Sequence, residues 1–425
     1  MAGLVLLGVV FWLGGLGFLG APKGDRDRGA IPAVPSDGVP VRIGVLHSLT
    51  GTMAESESPV IDAIQLSIEE INQQGGVLGR PLRAVVADGR SDPETFSREA
   101  RRLIEDEQVA TLFGCWTSAS RKMVVPVVEE LNHLLIYSVQ HEGLEESPNV
   151  FYLGVTPNQQ IIPAIRWAHE DLGKQRFFLV GSDYVFPRVA HAIIKDQLNQ
   201  MGIQIAGKAF LPLGSMDVED VIQQIADSQP DVIVNCLNGN SNGAFFRQLR
   251  RAGIRSEQIP TISFSIGEEE IRFINPEEML GEFASWNYFQ SIDSEENQAF
   301  VSSFQQKFGS HRLLNDPMES TYMGVKLWAQ AVNAGNSIEI PDIRREMRNQ
   351  RMKAPGGELR IDAESQHAYK IPRIGRLQAN GQFQTVWAGD VPIAPQPYPA
   401  TRSAEQWRAL IHDLYMGWGE RWSAQ

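Results

Sequence analysis

A β-prone run, Ala110-Thr111-Leu112-Phe113, leads into nine residues, Gly114-Cys115-Trp116-Thr117-Ser118-Ala119-Ser120-Arg121-Lys122, before an apolar helical run starts at Met123. The hydroxyls of Thr117, Ser118 and Ser120 stand there beside the indole of Trp116. N–H groups in the first turn of a helix lack intrahelical partners and point outward. A strand-to-helix turn of this composition can therefore donate to the oxygen of a small polar molecule. The same residues also suit a bland role, the serines and threonine as a helix cap and the tryptophan as core. Four other loops have a similar composition: Tyr137-Ser138-Val139-Gln140-His141-Glu142, Gly181-Ser182-Asp183-Tyr184, Leu237-Asn238-Gly239-Asn240-Ser241-Asn242 and Ser263-Phe264-Ser265-Ile266-Gly267-Glu268. The candidate contacts are Trp116, Thr117, Ser118, Tyr137, Gln140, Tyr184, Asn238 and Ser265. They supply neutral donors, neutral acceptors and flat rings, a set suited to holding a ligand.

Catalysis requires a nucleophile with an oriented base, a metal cluster or a cofactor loop. No phosphate-loop signature occurs, Gly181-Ser182-Asp183 lacks the flanks of a nucleophile elbow, and the eight histidines show no ligand spacing. The two cysteines, Cys115 and Cys236, end different predicted strands and make neither a disulfide nor a zinc site. His141-Glu142 is the best acid/base candidate, but neighbours on an extended stretch point opposite ways, so the pair reads as solvent-facing. The expectation is a binding protein without enzymatic activity, cofactor or metal.

The elements that must position these loops alternate. Strands are predicted at Val41 to Leu46, Leu82 to Ala87, Ala110 to Phe113, Leu134 to Tyr137 and Val150 to Leu153, with helices between them; Asp92-Pro93 reads as an N-cap and first helical residue. After Thr156-Pro157-Asn158 the alternation starts again, with strands at Arg176 to Val180, Ile205 to Phe210, Asp231 to Asn235 and Ile259 to Ser263, and helices such as Val218 to Ser228 and Gly243 to Ala252. Such alternation implies parallel sheets covered on both faces. Two series exceed one sheet, so the fold class is α/β: two doubly wound parallel-sheet lobes with a ligand cleft where their strand ends face each other. Pro355-Gly356-Gly357 reads as a sharp break before short strands around Leu359, Ile374 and Val386. Ala404 to Trp418 carries Trp407, Leu410, Ile411, Leu414 and Trp418 on one helical face, which suits packing on its own domain, with docking or a membrane surface as the other role.

With 425 residues, 43% of them hydrophobic, the chain can build two substantial cores. A formal charge of −13 without a dense basic run excludes nucleic acid as a partner. Gly3 to Ala21 is apolar enough for a signal-peptide core or anchor, followed by a charged linker through Pro40, which suggests export and a membrane connection through this segment alone.

Taken in order, Gly51-Thr52-Met53-Ala54, Phe113-Gly114-Cys115-Trp116-Thr117-Ser118, Thr156-Pro157-Asn158-Gln159-Gln160, Gly181-Ser182-Asp183-Tyr184, Trp286-Asn287-Tyr288-Phe289 and Asp316-Pro317-Met318-Glu319 resemble the urea- and short-amide-binding branch of the type I periplasmic binding proteins. The resemblance runs from about Val41 to Tyr398. It implies three hinge crossings, near Val155 to Asn158, Trp286 to Ser291 and Lys353 to Gly357. The first lobe would then be 41–156 with 287–354 and the second 157–286 with 355–400, leaving 401–425 as a C-terminal amphipathic helix. It also implies an extracytoplasmic protein that captures urea or a small neutral amide and serves an ABC transporter permease or, alternatively, a signalling partner. Ser118, Tyr137 and Tyr184 match its ligand-holding positions, and Asn238 lies in a turn similar to the urea-binding pattern. Ser138, His141 and Asn240 depart from it, where proline, tyrosine and aspartate are usual. A branched-chain amino acid is the other ligand class, for which Asp183 or Glu268 would meet the ammonium.

Overall fold

The computed structural model describes residues 38–424. The apolar segment Gly3 to Ala21 and its linker through residue 37 lie outside them. No helix among the described residues is long and apolar enough to cross a membrane.

The first series of apolar runs forms β1 (Val41–His47), β2 (Leu82–Asp88), β3 (Leu112–Gly114), β4 (Leu135–Tyr137) and β5 (Val150–Tyr152). They pair in parallel in the order β2-β1-β3-β4-β5. Between them run α1 (Ala54–Gln73), α2 (Pro93–Glu105) and α3 (Ser118–Glu130). The Asp92 carboxylate caps α2 by accepting from Thr95 N at 2.9 Å, and Pro93 takes the first helical turn. Helix α3 begins at Ser118, five residues before the apolar run that announced it, because Thr117 supplies its own cap: Thr117 Oγ1 accepts from Ser120 N at 3.1 Å.

The second series comprises α4 (Ile161–Glu170), β6 (Phe177–Ser182), α5 (Val185–Gln200), β7 (Ile205–Leu211), α6 (Glu219–Ser228), β8 (Val232–Cys236), α7 (Ser241–Arg251), β9 (Thr261–Ser263), α8 (Glu268–Ile271), α9 (Pro276–Met279) and β10 (Phe283–Trp286). The chain then returns to the first lobe through α10 (Glu295–Phe308), α11 (Asp316–Gly335), α12 (Ile340–Met347) and a hairpin of β11 (Arg351–Ala354) with β12 (Gly357–Arg360). It finishes in the second with β13 (Arg373–Leu377), β14 (Phe383–Ala388) and α13 (Ala404–Gly417). The second sheet has the order β14-β13-β10-β9-β8-β6-β7. It is mixed, since β13 runs antiparallel to both β10 and β14.

The break at Pro355-Gly356-Gly357 is the hairpin turn and not a crossing. Ala354, Leu359, Ile361 and Ala368 bury their side chains in the first core, and residues 366–368 lie along β5: Tyr152 N donates to Gln366 O at 3.0 Å and Ala368 N to Tyr152 O at 2.9 Å. Residues through Ala368 thus stay with the first sheet, and we place the third passage between the lobes after them as a proposal. We propose lobes of 41–156 with 287–370 and 157–286 with 371–400. Helix α13 packs on the second, with Trp407 fully buried in its core.

Amide side chains tie the three crossings to one another. Gln159 Nε2 donates to Ala368 O and Ile393 O, both at 3.0 Å. Asn287 Nδ2 donates to Gln159 O at 3.3 Å and Ile371 O at 2.8 Å, and Gln160 Nε2 to Ser285 O at 2.6 Å. Just before the first crossing, a Cβ on Gly154 would stand 1.9 Å from the Val139 carbonyl oxygen. Gly154→Ala is expected to cost about 1–3 kcal/mol by overpacking, measured as a lowered guanidinium chloride unfolding midpoint. An unchanged midpoint would mean that the backbone there yields freely.

Candidate ligand-binding site

The turn after β3 is built under backbone strain. Gly114 ends the strand against β1, where a Cβ would meet Leu46 O at 2.1 Å, and Cys115 N donates to that same oxygen at 2.9 Å. Cys115 consequently takes φ +66°, a left-handed conformation costly for a residue with a Cβ. The turn delivers Trp116 and the start of α3 inward. The first-turn N–H groups of Ser118 and Ala119 have no carbonyl four residues back and are available as donors.

Behind this turn lies a buried ionic cluster. Arg121, with no exposed surface, donates Nη1 to Ser118 Oγ at 3.0 Å, Nη2 to Glu142 Oε1 at 3.0 Å and Nε to Glu145 Oε1 at 2.9 Å. Ser118 Oγ in turn donates to Glu142 Oε2. Lys122 Nζ donates to Glu145 Oε2 at 2.9 Å, and the guanidinium lies 4.8 Å from the centre of the Tyr137 ring. Burial works against the Arg121 charge, but Glu145 and Glu142 outweigh it and hold its pKa above the ordinary value. Burial likewise works against the Glu145 carboxylate, and Arg121 with Lys122 outweighs it and holds the pKa well below the usual range. Two cations and two carboxylates thus balance. His141 stacks with Tyr152 at 5.1 Å and with His367 at 5.2 Å; burial first, then Arg121, drives its pKa well below the usual value, so it is neutral.

The expected solvent-facing pair His141-Glu142 is corrected by this arrangement: both residues are buried, because the loop folds back onto α3 and not out into water. Thr117 takes the bland role of helix cap. Ser118 has its hydroxyl engaged by Glu142 and Arg121, so its N–H is the group left for a ligand.

Tyr137 donates its hydroxyl to Trp116 O at 2.7 Å, with Gln140 O 3.2 Å from the same oxygen. Gln140 Nε2 reaches across to Phe264 O of the second lobe at 3.0 Å, beside Ser265. Tyr184 shares a packed cluster with Ala119 of α3; burial first, then the neighbouring Tyr137 and Glu142, keeps its phenol protonated. Asn238 N donates to Ser182 Oγ at 3.0 Å, which fixes the turn after β8 at the end of β6. The structure therefore links Trp116, Ser118, Tyr137, Gln140 and Tyr184 and brings the loop of Ser265 to them, while Asn238 stands in the facing turn. There a Cβ on Gly239 would lie 2.7 Å from Thr52 O of the first lobe. At this mouth a cavity of about 190 Å³ is lined from both sides, by Glu55 and Ser56 on α1 and by Asn240, Arg247, Glu270 and Phe273 among others. None of the eight candidates lines it.

Several buried polar atoms of this region have no hydrogen-bond partner among the described residues: Thr52 Oγ1, Trp116 Nε1, Ser138 Oγ, Gln140 Oε1, Ser241 Oγ and Ser265 Oγ. They are neutral groups. Of the nearby acids, Asp183 holds Arg188 through two bonds of 2.7 and 2.9 Å, while burial pushes the Glu268 carboxyl up to about 8 and its Oε2 has no partner among the described residues. Asp183 is thereby already paired. Arg121, Lys122, Glu142, Glu145 and Thr52 escaped the sequence reading. The signal for the first four was present as Arg121-Lys122 and Glu142-x-x-Glu145, two charge pairs of opposite sign in two loops already chosen.

A protein-family model described as a periplasmic binding protein domain matches residues 41–404. The chain is 24% identical over 334 residues to Leu/Ile/Val-binding protein homolog 6 of Brucella abortus (strain 2308), covering 77% of this chain and 85% of that one. A shorter match, 29% over 117 residues, is to limonene hydroxylase of Geobacillus stearothermophilus; it covers 28% of this chain and spans only 21% of that protein's length. Among solved structures, a solute binding protein of an ABC transporter from Rhodopseudomonas palustris BisB5, in complex with 3,4-dihydroxybenzoic acid, superposes with a TM-score of 0.76 at 20% identity, covering 83% of this chain and 98% of that one. A leucine binding protein from Thermotoga maritima MSB8 gives 0.74 at 20% identity, covering 82% and 98%.

Proposed function

Because the chain belongs to the periplasmic binding protein family, we propose that it is an extracytoplasmic solute-binding protein that captures urea or a short-chain amide between its lobes and delivers it to an ABC transporter permease. The observation that carries this reading is the pairing of charges. Arg121, Lys122, Glu142 and Glu145 neutralise one another, and Asp183 is held by Arg188. Among the unsatisfied buried groups are four hydroxyls, an indole N–H and an amide oxygen. Each such group costs about 1–3 kcal/mol while unpaired, and a neutral ligand with one carbonyl and several N–H groups satisfies both kinds. Trp116 and Tyr137 supply flat apolar walls. The ligands of the two structural relatives named above, a benzoic acid and leucine, both carry a carboxylate, whereas Arg121 and Lys122 beside this turn are already paired with Glu142 and Glu145.

Ligand size sets the expected affinity. Urea, at a ceiling of about −1.5 kcal/mol per heavy atom, reaches about −6 kcal/mol, a Kd on the order of tens of micromolar. At about a hundredfold excess it should stabilise the protein by about 2.7 kcal/mol and raise the Tm by several degrees. Differential scanning fluorimetry with millimolar urea, acetamide, leucine and 3,4-dihydroxybenzoate checks this. A shift with leucine or the benzoate and none with either amide would overturn the ligand class.

A further inference from the structure

The C-terminal segment does more than cover the second lobe. Helix α13 is anchored there by Trp407 and by Arg402, which grips Asp196 of α5 through two bonds of 2.6 and 2.9 Å. Beyond it the chain turns back and lies antiparallel to the turn between β6 and α5: Val185 N donates to Trp422 O at 3.0 Å and Ala424 N to Asp183 O at 3.0 Å, with Ser423 opposite Tyr184. Both backbone neighbours of Tyr184 are thereby fixed by the tail. The Trp422 ring, tilted by 38° against Tyr415 of α13 with ring centres 4.5 Å apart, lies 5.1 Å from Lys122 Nζ of the first lobe. Lys122 is the cation that bonds Glu145 and sits 3.5 Å from Glu142, the carboxylate that holds Ser118. A second contact supports the same direction: Leu144 N, in the loop carrying Glu142 and Glu145, donates to Pro397 O at 2.8 Å.

We propose that residues 393–424 form a strap that positions Tyr184 and clasps the two lobes together through Trp422 on Lys122, making tail docking and lobe closure mutually dependent. The proposal rests on the reading of the interlobe face as the ligand site. A cation over an indole attracts it only within about 6 Å, so a rotation that opens the lobes breaks this contact. What stabilises the contact therefore favours the closed form, and reciprocally.

The test uses three variants: the chain ending at Trp418, which retains α13, together with Trp422→Ala and Trp422→Phe. Circular dichroism establishes that each is folded, and small-angle X-ray scattering without any added ligand reads the radius of gyration. The truncation and Trp422→Ala are expected to be more extended than the parent, and Trp422→Phe, which keeps an aromatic face, to lie close to it. Calorimetry with urea and acetamide should show a loss of about tenfold for the first two. Parent-like scattering for both the truncation and Trp422→Ala would overturn the strap. Should the truncation fail to fold, Trp422→Ala and Trp422→Phe decide alone. Extended variants combined with no amide binding by the parent would refute the amide reading while the strap stands.

Discussion

Exchange of Arg121 for methionine is expected to be the most damaging single substitution considered, costing about 3–5 kcal/mol and lowering the Tm by about five degrees at neutral pH. Methionine fills much of the volume but leaves Glu142, fully buried, and Glu145, nearly so, with Lys122 as their remaining cation. The sign of the pH dependence follows from Glu145. Its folded pKa lies below the unfolded value near 4.5, so its contribution is complete above that value and is lost as pH falls toward the folded pKa. The deficit of Arg121→Met should thus be largest at neutral pH and shrink below about pH 4.5, as Glu145 protonates. Adding Glu145→Gln to Arg121→Met should recover part of the loss. Calorimetric unfolding across pH 3–8 measures all three; a deficit under about 1 kcal/mol at neutral pH would show that the ion cluster is not what holds this turn.

The opposite sign is expected at Glu268. Its Oε1 accepts from Gln290 N at 2.8 Å, at the second crossing, while Oε2 is buried without a partner among the described residues. Burial, with Glu270 and Asp316 nearby, pushes the carboxyl up to about 8. A raised folded pKa gives stability that is complete below the unfolded value and is lost as pH rises through about 8, at about 1.4 kcal/mol per unit in between. The parent should lose roughly 3 kcal/mol between about pH 6 and pH 8 from this group, within the order-of-magnitude reach of the argument. Glu268→Gln, an uncharged mimic of the protonated acid, should match the parent near pH 5 and exceed it near pH 8. Glu269, pushed to about 7 first by burial, is common to both proteins and drops out of the difference. Parallel stability curves for parent and variant would sink the assignment of a neutral Glu268.

Both predictions concern groups whose environment no local pattern discloses. Strand and helix order was legible because apolar periodicity is a local property: Val41 to Leu46 and Ile205 to Phe210 predicted their strands within a residue or so. Strand β10 escaped because Phe283-Ala-Ser-Trp286 is short and lies beside a stretch read as a crossing. Pro355-Gly356-Gly357 reads equally as a hairpin turn or a passage between lobes, because both use the same residues; which it is depends on where Leu359 and Ile361 are buried. At the candidate site, residue types drew attention to the turn of Trp116 to Ser118 but not to the partner of the Ser118 hydroxyl. That partner, Glu142, comes from a loop whose inward fold follows from the stacking of His141 on Tyr152 and His367, a contact between three separate segments.

The amides that join the three crossings set the kind of motion the lobes can make. Three unconnected crossings would let one lobe twist, slide and bend against the other almost independently. With Gln159 bonded to the carbonyls of Ala368 and Ile393, and Asn287 bonded to Gln159 and Ile371, a displacement of any one crossing pulls on the other two. What remains is close to a single degree of freedom, bending about one axis. On a single coordinate, ligands that close the cleft less far differ from those that close it completely by one angle. Whatever reads the closed protein would then discriminate among solutes by an angular threshold, without touching the solute itself.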